Sequence, residues 1–291
     1  MKTTYRNIHL SKANQERLQI INDIIISYQR QGYTLTLRQL YYQLVSRDII
    51  PNRLQEYSKL STLLKEGRMS GIVDWDAIED RLRKPSQPAS WDSPEDIIRA
   101  CADQFELPRL RGQDTYIETW VEKDALSGVL RRVTEQYHVP IVVNRGYSSV
   151  TAMHDAHKRF VRADRMGQSI VILYIGDFDP SGQDMIRDIT DRINEFGGSY
   201  AFKIIPIALT EDQIAEHNPP PNPAKISDPR AKAYIERYGE TSWEVDALRP
   251  EVLHRLLEHH ITDHIDLGLY TQVCDEEQEH KDKIRDLIKY L

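Results

Sequence analysis

Three carboxylates and a pair of tyrosines are the residues whose types and spacing suggest chemistry first. "VEKDAL" places Glu122 at the close of an apolar run, and "YIGDFDPSGQDM" places Asp177 and Asp179 two residues apart at the close of another. Side chains alternate along a strand, so aspartates at i and i+2 are expected on one side, where a glutamate from a neighbouring strand end can meet them. Three hard oxygen donors with room for water suit Mg2+, with Mn2+ as a substitute, because such a cation keeps part of its hydration and bridges to phosphate. Gly176 and Gly182 flank the pair and permit close backbone approach. A turn capped by aspartates is the other reading of this motif. The second feature is "LRQLYYQLVS", with Arg38 four residues before Tyr42. On a helical wheel with Leu37 at zero, Leu40, Tyr41 and Leu44 fall within about 60°, Arg38 near ~100° and Tyr42 near ~140°. Tyr41 should face the core and Tyr42 the flank, one turn from a guanidinium that can hold a phosphate or favour a phenolate. On the residues alone, a structural or exposed role for Tyr42 is the competing reading.

The elements that must position these groups follow from hydrophobic periodicity. "TYIETWV", "PIVVN", "SIVILYIGD" and "AFKIIPIAL" read as strands, separated by helical patterns around 124–137, 150–162 and 181–196. Such alternation predicts an α/β fold with a parallel β-sheet flanked by helices and right-handed crossovers, in which chemistry sits beyond the carboxyl ends of the strands. Glu122, Asp177 and Asp179 fall at those ends. Upstream, "NQERLQIINDIIISYQRQG" carries apolar residues at 18, 21, 24, 25 and 28 and stops at Gly32. A helix capped by Thr36 follows, then a third after Pro51 ending near Gly71. Three short helices and a candidate wing in "IVDWDAIEDRLR" predict a winged-helix DNA-binding domain over residues 1–83, with Lys59, Lys65 and Arg68 offered to phosphate. Ordinary helix solubility explains those cations equally well. The Pro/Ser-rich 83–96 stretch reads as a linker leading to a helix with Ser93 as N-cap and Pro94 in its first turn, so 84–112 is assigned to linker and connecting helix. Residues 113–270 form the metal-binding α/β domain, and 271–291 an acidic C-terminal helix. "PPPNPAK" reads as an extended loop, and the histidines of "LLEHHITDH" and "MHDAHKRF" as surface or core residues rather than ligands.

Composition bounds the function. The 291 residues suit two domains with sizeable cores. Cys101 and Cys274 lack any CxxC or Cys/His spacing, which argues against a disulfide framework or zinc finger and for a reducing interior. The most apolar runs are far shorter than the roughly 20 residues a membrane span requires, so no membrane partner and a cytoplasmic location, nucleoid-associated in a prokaryote, are expected. The net charge of −7 hides an asymmetry. Residues 1–73 hold eleven Lys/Arg against five Asp/Glu, a surplus of six, leaving −13 for the remainder. A basic amino-terminal part on an acidic remainder fits a DNA-contacting domain joined to a metal-binding one. A basic solvated face without a ligand fits the same numbers.

In the order "VEKDAL", "NRGYSS", "GDFDPSGQDM", the chain resembles a Toprim domain, in the version found in the A subunit of topoisomerase VI and its meiotic double-strand-break relatives. "RQLYY" is similar to that family's R-x-x-YY motif in a preceding winged-helix domain, and "SWEVDAL" at 242–248 is similar to an acidic E-x-E-A-L element. The resemblance covers roughly residues 34 to 260. It implies a DNA-cleaving isomerase in which Tyr42 attacks a backbone phosphate and forms a reversible tyrosyl-DNA link. Arg38 would assist, and the metal would be held by Glu122, Asp177 and Asp179, with Glu122 doubling as general acid or base. Lys123 and Arg145 are candidate phosphate contacts, and Asp228, Glu244 and Asp246 candidate neighbours of the metal. The family also implies double-stranded DNA as substrate and a homodimer in which the tyrosine of one subunit works with the metal of the other. The chain is shorter than typical A subunits and carries no recognisable ATP-binding region, so strand passage would need a separate ATPase subunit. The alternatives are a Toprim endonuclease that cuts by hydrolysis, in a defence or mobile-element context, and a DNA-binding protein that does not cleave.

Overall fold

The computed structural model describes residues 2–78, 88–144, 149–198, 200–224 and 228–290. Its amino-terminal part is helical. α1 (Lys12–Arg30) starts at Ser11, whose side chain accepts from the Asn14 N–H, and buries Leu18, Ile21, Ile24, Ile25 and Tyr28 at the spacing of one helical face. α2 (Leu37–Val45) opens with a reciprocal cap: Thr36 accepts from the Gln39 N–H while the Gln39 side chain accepts from the Thr36 N–H. α3 (Leu54–Met69) packs Leu60, Leu63 and Leu64 inward. After it the chain makes a 3-10 turn at Trp75–Ala77 and one parallel bridge from Ile78 to Leu35. The only other bridge here, Thr4 to Ser70, is antiparallel, and no paired hairpin forms among the described residues. Residues 79–83 of the expected wing lie outside the described residues.

α4 (Pro94–Gln104) begins as the sequence predicts, with Ser93 accepting from the Asp96 N–H and proline in the first turn. Four parallel strands follow: β1 (Thr115–Val121), β2 (Ile141–Val143), β3 (Ser169–Ile175) and β4 (Phe202–Ala208), in the order β2-β1-β3-β4. Between them run α5 (Ser127–Tyr137), α6 (Val150–Arg165) and α7 (Pro180–Asn194). Because side chains alternate, Ile117, Val121, Leu173 and Ile175 enter one buried cluster, which continues into α5 and α1 to α3. Trp120, Ile172 and Tyr174 enter a second, under α6 and α7. The amino-terminal helices thus share a hydrophobic core with one face of the sheet.

β4 leads to α8 (Glu211–His217) and then to a two-stranded antiparallel ladder, β5 (Asn222–Pro223) with β6 (Thr241–Ser242), which brackets α9 (Ala231–Tyr238). "PPPNPAK", expected to be an extended loop, therefore contributes a strand at 222–223. Its partner lies 20 residues further on, which local sequence does not announce. α10 (Pro250–Thr262) covers the first core and α11 (Leu267–Asp286) docks on α4. The α11 anchor is Glu277, which accepts from the Leu107 N–H at 2.9 Å, Arg109 Nη2 at 2.8 Å and Lys281 Nζ at 2.8 Å. Although burial opposes it, these donors hold the Glu277 carboxyl down at about 2. No helix among the described residues is long and apolar enough to cross a membrane.

Candidate active site

β1 and β3 end side by side, with Val121 opposite Ile175, so the residues just beyond them share one edge of the sheet. Alternation separates Glu122 from Lys123. Glu122 accepts from the Asp177 N–H at 3.0 Å and its own N–H reaches the Ile175 carbonyl, while Lys123 turns toward the amino-terminal helices. There its Nζ lies 2.7 Å from Asp177, 3.0 Å from Glu244 and 2.9 Å from Asp246. The two distant acids arrive because Phe178 and Trp243 exchange both backbone hydrogen bonds at 2.9 Å, and the Val245 N–H donates to Asp177 Oδ1 at 2.9 Å. That short pairing clamps "SWEVDAL" against "GDFDPSG".

Arg38 completes the network from α2. Its Nε donates to Asp246 Oδ2 at 3.1 Å, and its Nη2 pairs with Glu244. The same guanidinium stands 5.9 Å from the centre of the Tyr42 ring. Tyr42 does not lie on an open flank as the helical wheel suggests. It is 4 % exposed, as is Tyr41, and seven consecutive residues of α2 are buried. A wheel identifies the most apolar face of a helix, but α2 is packed by α1, α3 and the segment around 245–247, whose Val245 and Ala247 extend the first core so that it takes in Tyr42 as well as Tyr41. Burial raises the Tyr42 phenol above its ordinary value, against the opposing effects of Arg38, a side-chain hydrogen bond from Asn222, and Lys123.

The acids experience the same competition. Burial, followed by the charge of Asp177, raises Glu122 to about 7, so it exchanges a proton near neutrality. Burial also raises Asp177, against the pull of Lys123. Burial alone would lower Lys123, yet Asp246 and Asp177 keep its ammonium above the ordinary value. Asp246 is fully buried, and its Oδ1 has no hydrogen-bond partner among the described residues.

Asp179 brings its charge to Glu122 and also caps a helix. β3 ends at Ile175, and Asp179, four residues on, stands at the N-cap of α7. Asp177 turns to Lys123 and Val245, whereas Asp179 caps α7, accepting from the Gly182 N–H at 2.7 Å and Ser181 Oγ at 2.8 Å. A Cβ at Gly182 would sit 2.1 Å from the Asp177 carbonyl oxygen, which explains the glycine. Among the described residues, no three His, Cys, Asp or Glu side chains are grouped so as to hold a metal ion as they stand. The donor chemistry still suits a hard divalent cation, since every nearby acid offers carboxylate oxygen and Asp246 Oδ1 is unused. In this conformation the cation among Asp177, Glu244 and Asp246 is the Lys123 ammonium.

The remaining candidates separate by location. Lys123, read as a phosphate contact, has a side chain only 19 % exposed and faces acids instead, because the parity of β1 points it inward. Lys59 is exposed and pairs with Glu56 at 2.6 Å, and Lys65 is exposed. Arg68 donates to the Ile78 carbonyl at 3.0 Å and lies over Trp75, tying α3 to the following turn. Asp228 pairs with Arg230 at 2.7 Å. Arg145 lies outside the described residues. Sequence reasoning missed Asn52 and Asn222: Asn52 Nδ2 donates to Asn222 Oδ1 at 2.7 Å, and the Tyr41 hydroxyl donates to Asn52 Oδ1 at 3.0 Å. An asparagine among prolines carries no periodic signal, so only its contact with Tyr42 reveals it. No family model, curated protein or solved structure matches this chain.

Proposed function

We propose that this protein is a DNA-cleaving enzyme resembling the topoisomerase VI A subunit, in which Tyr42 attacks a backbone phosphate and forms a reversible phosphotyrosyl link. The observation that carries this reading is that Arg38 joins two otherwise separate features. It stands beside Tyr42 and also binds Asp246 and Glu244, which share Lys123 with Asp177. The nucleophile candidate and the strand-end acids therefore belong to one charge network.

The roles follow from the groups. The Tyr42 Oη–P bond forms as the P–O bond to the leaving sugar breaks, and the phosphodiester count is preserved, so the step reverses. Tyr42 must lose its proton to solvent against a raised pKa, and Arg38 exerts the largest influence that favours phenolate, followed by a hydrogen bond from Asn222. Glu122, balanced near 7, can donate a proton to the leaving oxygen. Glu122, Asp177 and Asp179, with Asp246 beside them, would hold Mg2+ or Mn2+. When bound, the cation would neutralise charge developing on the phosphate. The Lys123 ammonium meanwhile holds Asp177, Glu244 and Asp246 together against their mutual repulsion.

A hydrolytic endonuclease is the second reading, favoured by the burial of Tyr42 and by Glu122 having the pKa of a general base at neutral pH. The two part on one experiment. Supercoiled plasmid is incubated with protein and Mn2+, stopped with denaturant, and half of each sample is treated with protease before electrophoresis. Transesterification predicts breaks that remain bound to protein until the protease acts, and their loss in Tyr42→Phe. Protein-free breaks that survive Tyr42→Phe would establish hydrolysis.

A further inference from the structure

Beside Tyr42 lies a pocket of about 310 Å3, between α2, the start of α3 and Asn222 of β5. Its size is at the lower end of small-ligand sites, which run from roughly 300 to 1,000 Å3, and no double helix can enter it. Tyr57 contributes an aromatic ring whose orientation is set by edge-to-face contact with Tyr41, at 5.4 Å between centroids. Leu54, 84 % exposed, extends the apolar wall to the rim. Asn222 adds an amide and Arg38 lies toward the acids. Tyr41, Asn52 and Glu244 also line it, the Glu244 charge being met by Arg38 and Lys123. Arg53 is the exposed cation of the lining, and no ion pair or side-chain hydrogen bond engages its guanidinium among the described residues.

A flat aromatic ring, an amide and an uncommitted guanidinium around a one-residue-sized space are the groups that hold an unstacked base and its phosphate. Resting on the DNA reading above, we propose that this pocket is a subsite for a single extruded or unpaired nucleotide, its base against Tyr57 and its phosphate held by Arg53, next to the bond presented to Tyr42. The substrate class thereby narrows to DNA that is single-stranded, gapped or distorted at the cleavage point. Intact duplex would be held by the outer cations of α3, such as Lys65, and would reach the pocket only by unstacking a nucleotide, at a cost that is smallest where pairing is already lost.

The test is equilibrium binding in chelator, so that no chemistry intervenes. Fluorescence anisotropy is measured with a labelled single-stranded 30-mer, the matching duplex, and a duplex with a one-nucleotide gap. Wild type is expected to prefer the single-stranded and gapped forms. Arg53→Ala and Tyr57→Ala should each lower affinity for these two by about tenfold, the scale of a lost base stack, and leave duplex binding within about twofold. Tyr57 is partly buried, so the exposed Arg53→Ala carries the test if the other variant does not fold. Variants that bind all three DNAs as wild type does, or that lose duplex binding equally, would overturn the pocket assignment while leaving DNA binding in place. A wild-type protein that binds none of the three would overturn both the pocket and the DNA reading.

Discussion

Glu118 and Glu122 lie four residues apart on the same stretch of chain and meet opposite treatment. Glu118 is fully buried and saturated: Tyr116 Oη and Arg159 Nε donate to one oxygen at 2.7 and 2.5 Å, Trp120 Nε1 and Arg159 Nη2 to the other at 2.8 and 2.9 Å. Glu122, just past the strand end, accepts from the Asp177 N–H and faces the charges of Asp177 and Asp179. A carboxylate given four donors is spent on structure, because its charge and lone pairs are already matched. One left short of donors beside other acids holds its proton to about 7 and keeps capacity for a ligand or a proton transfer. Asp246, with Oδ1 unpartnered among the described residues, belongs with Glu122.

The contrast is broken most sharply by paired substitutions. Glu122→Gln is expected to reduce DNA cleavage by about 10²- to 10⁴-fold, the usual contribution of a general acid or base, while its urea midpoint stays near that of wild type. Glu118→Ala should do the reverse at the level of folding. Stranding Arg159 beside a buried void is expected to cost about 3 kcal/mol in urea denaturation, with the surviving folded fraction still cleaving. Equal loss of stability in both variants would remove the distinction between them.

Arg38→Lys probes the link between Tyr42 and the acids. The charge remains but the two-pronged contact with Asp246 and Glu244 is lost, a change of about 1 to 2 kcal/mol for a charge-assisted pair. Cleavage should fall more than DNA affinity if Arg38 positions the reacting groups, whereas an equal fall in both would assign it to binding alone. The smallest effect concerns pH. Glu122 binds its proton more tightly folded than unfolded, so the native state holds more protons between the ordinary carboxylate range and about 7. The stability this contributes is complete below the unfolded pKa and disappears as pH rises through 7. In chelator, wild type should therefore lose melting temperature from pH 5 to pH 8 more steeply than Glu122→Gln; parallel slopes would contradict the assignment.

Much of the frame was legible because its signals are local. The strand runs at 115–121 and 169–175 are continuous apolar segments, and the caps at Thr36 and Ser93 are set by residues within one turn. Glu122 and Asp177 were legible as strand-end acids for the same reason. What escaped depends on distant packing. Tyr42 is buried because a segment 200 residues away packs on α2, Lys123 is engaged because Glu244 and Asp246 arrive from that same distant segment, and Asn222 matters only through its place beside Tyr42. Asp179 meets both readings of its motif, capping α7 while its charge reaches Glu122.

The most direct test of the central claim is to identify the atom that becomes joined to DNA. Cleavage with Mn2+ is stopped by denaturant, the DNA is digested to a residual nucleotide, and tryptic peptides are sequenced by tandem mass spectrometry. Cleavage after Arg38 and Arg47 yields a peptide containing both Tyr41 and Tyr42, which fragment ions resolve. The account predicts the nucleotide mass on Tyr42 and none on Tyr41. Broken DNA with both tyrosines unmodified, or the adduct on Tyr41, would contradict it.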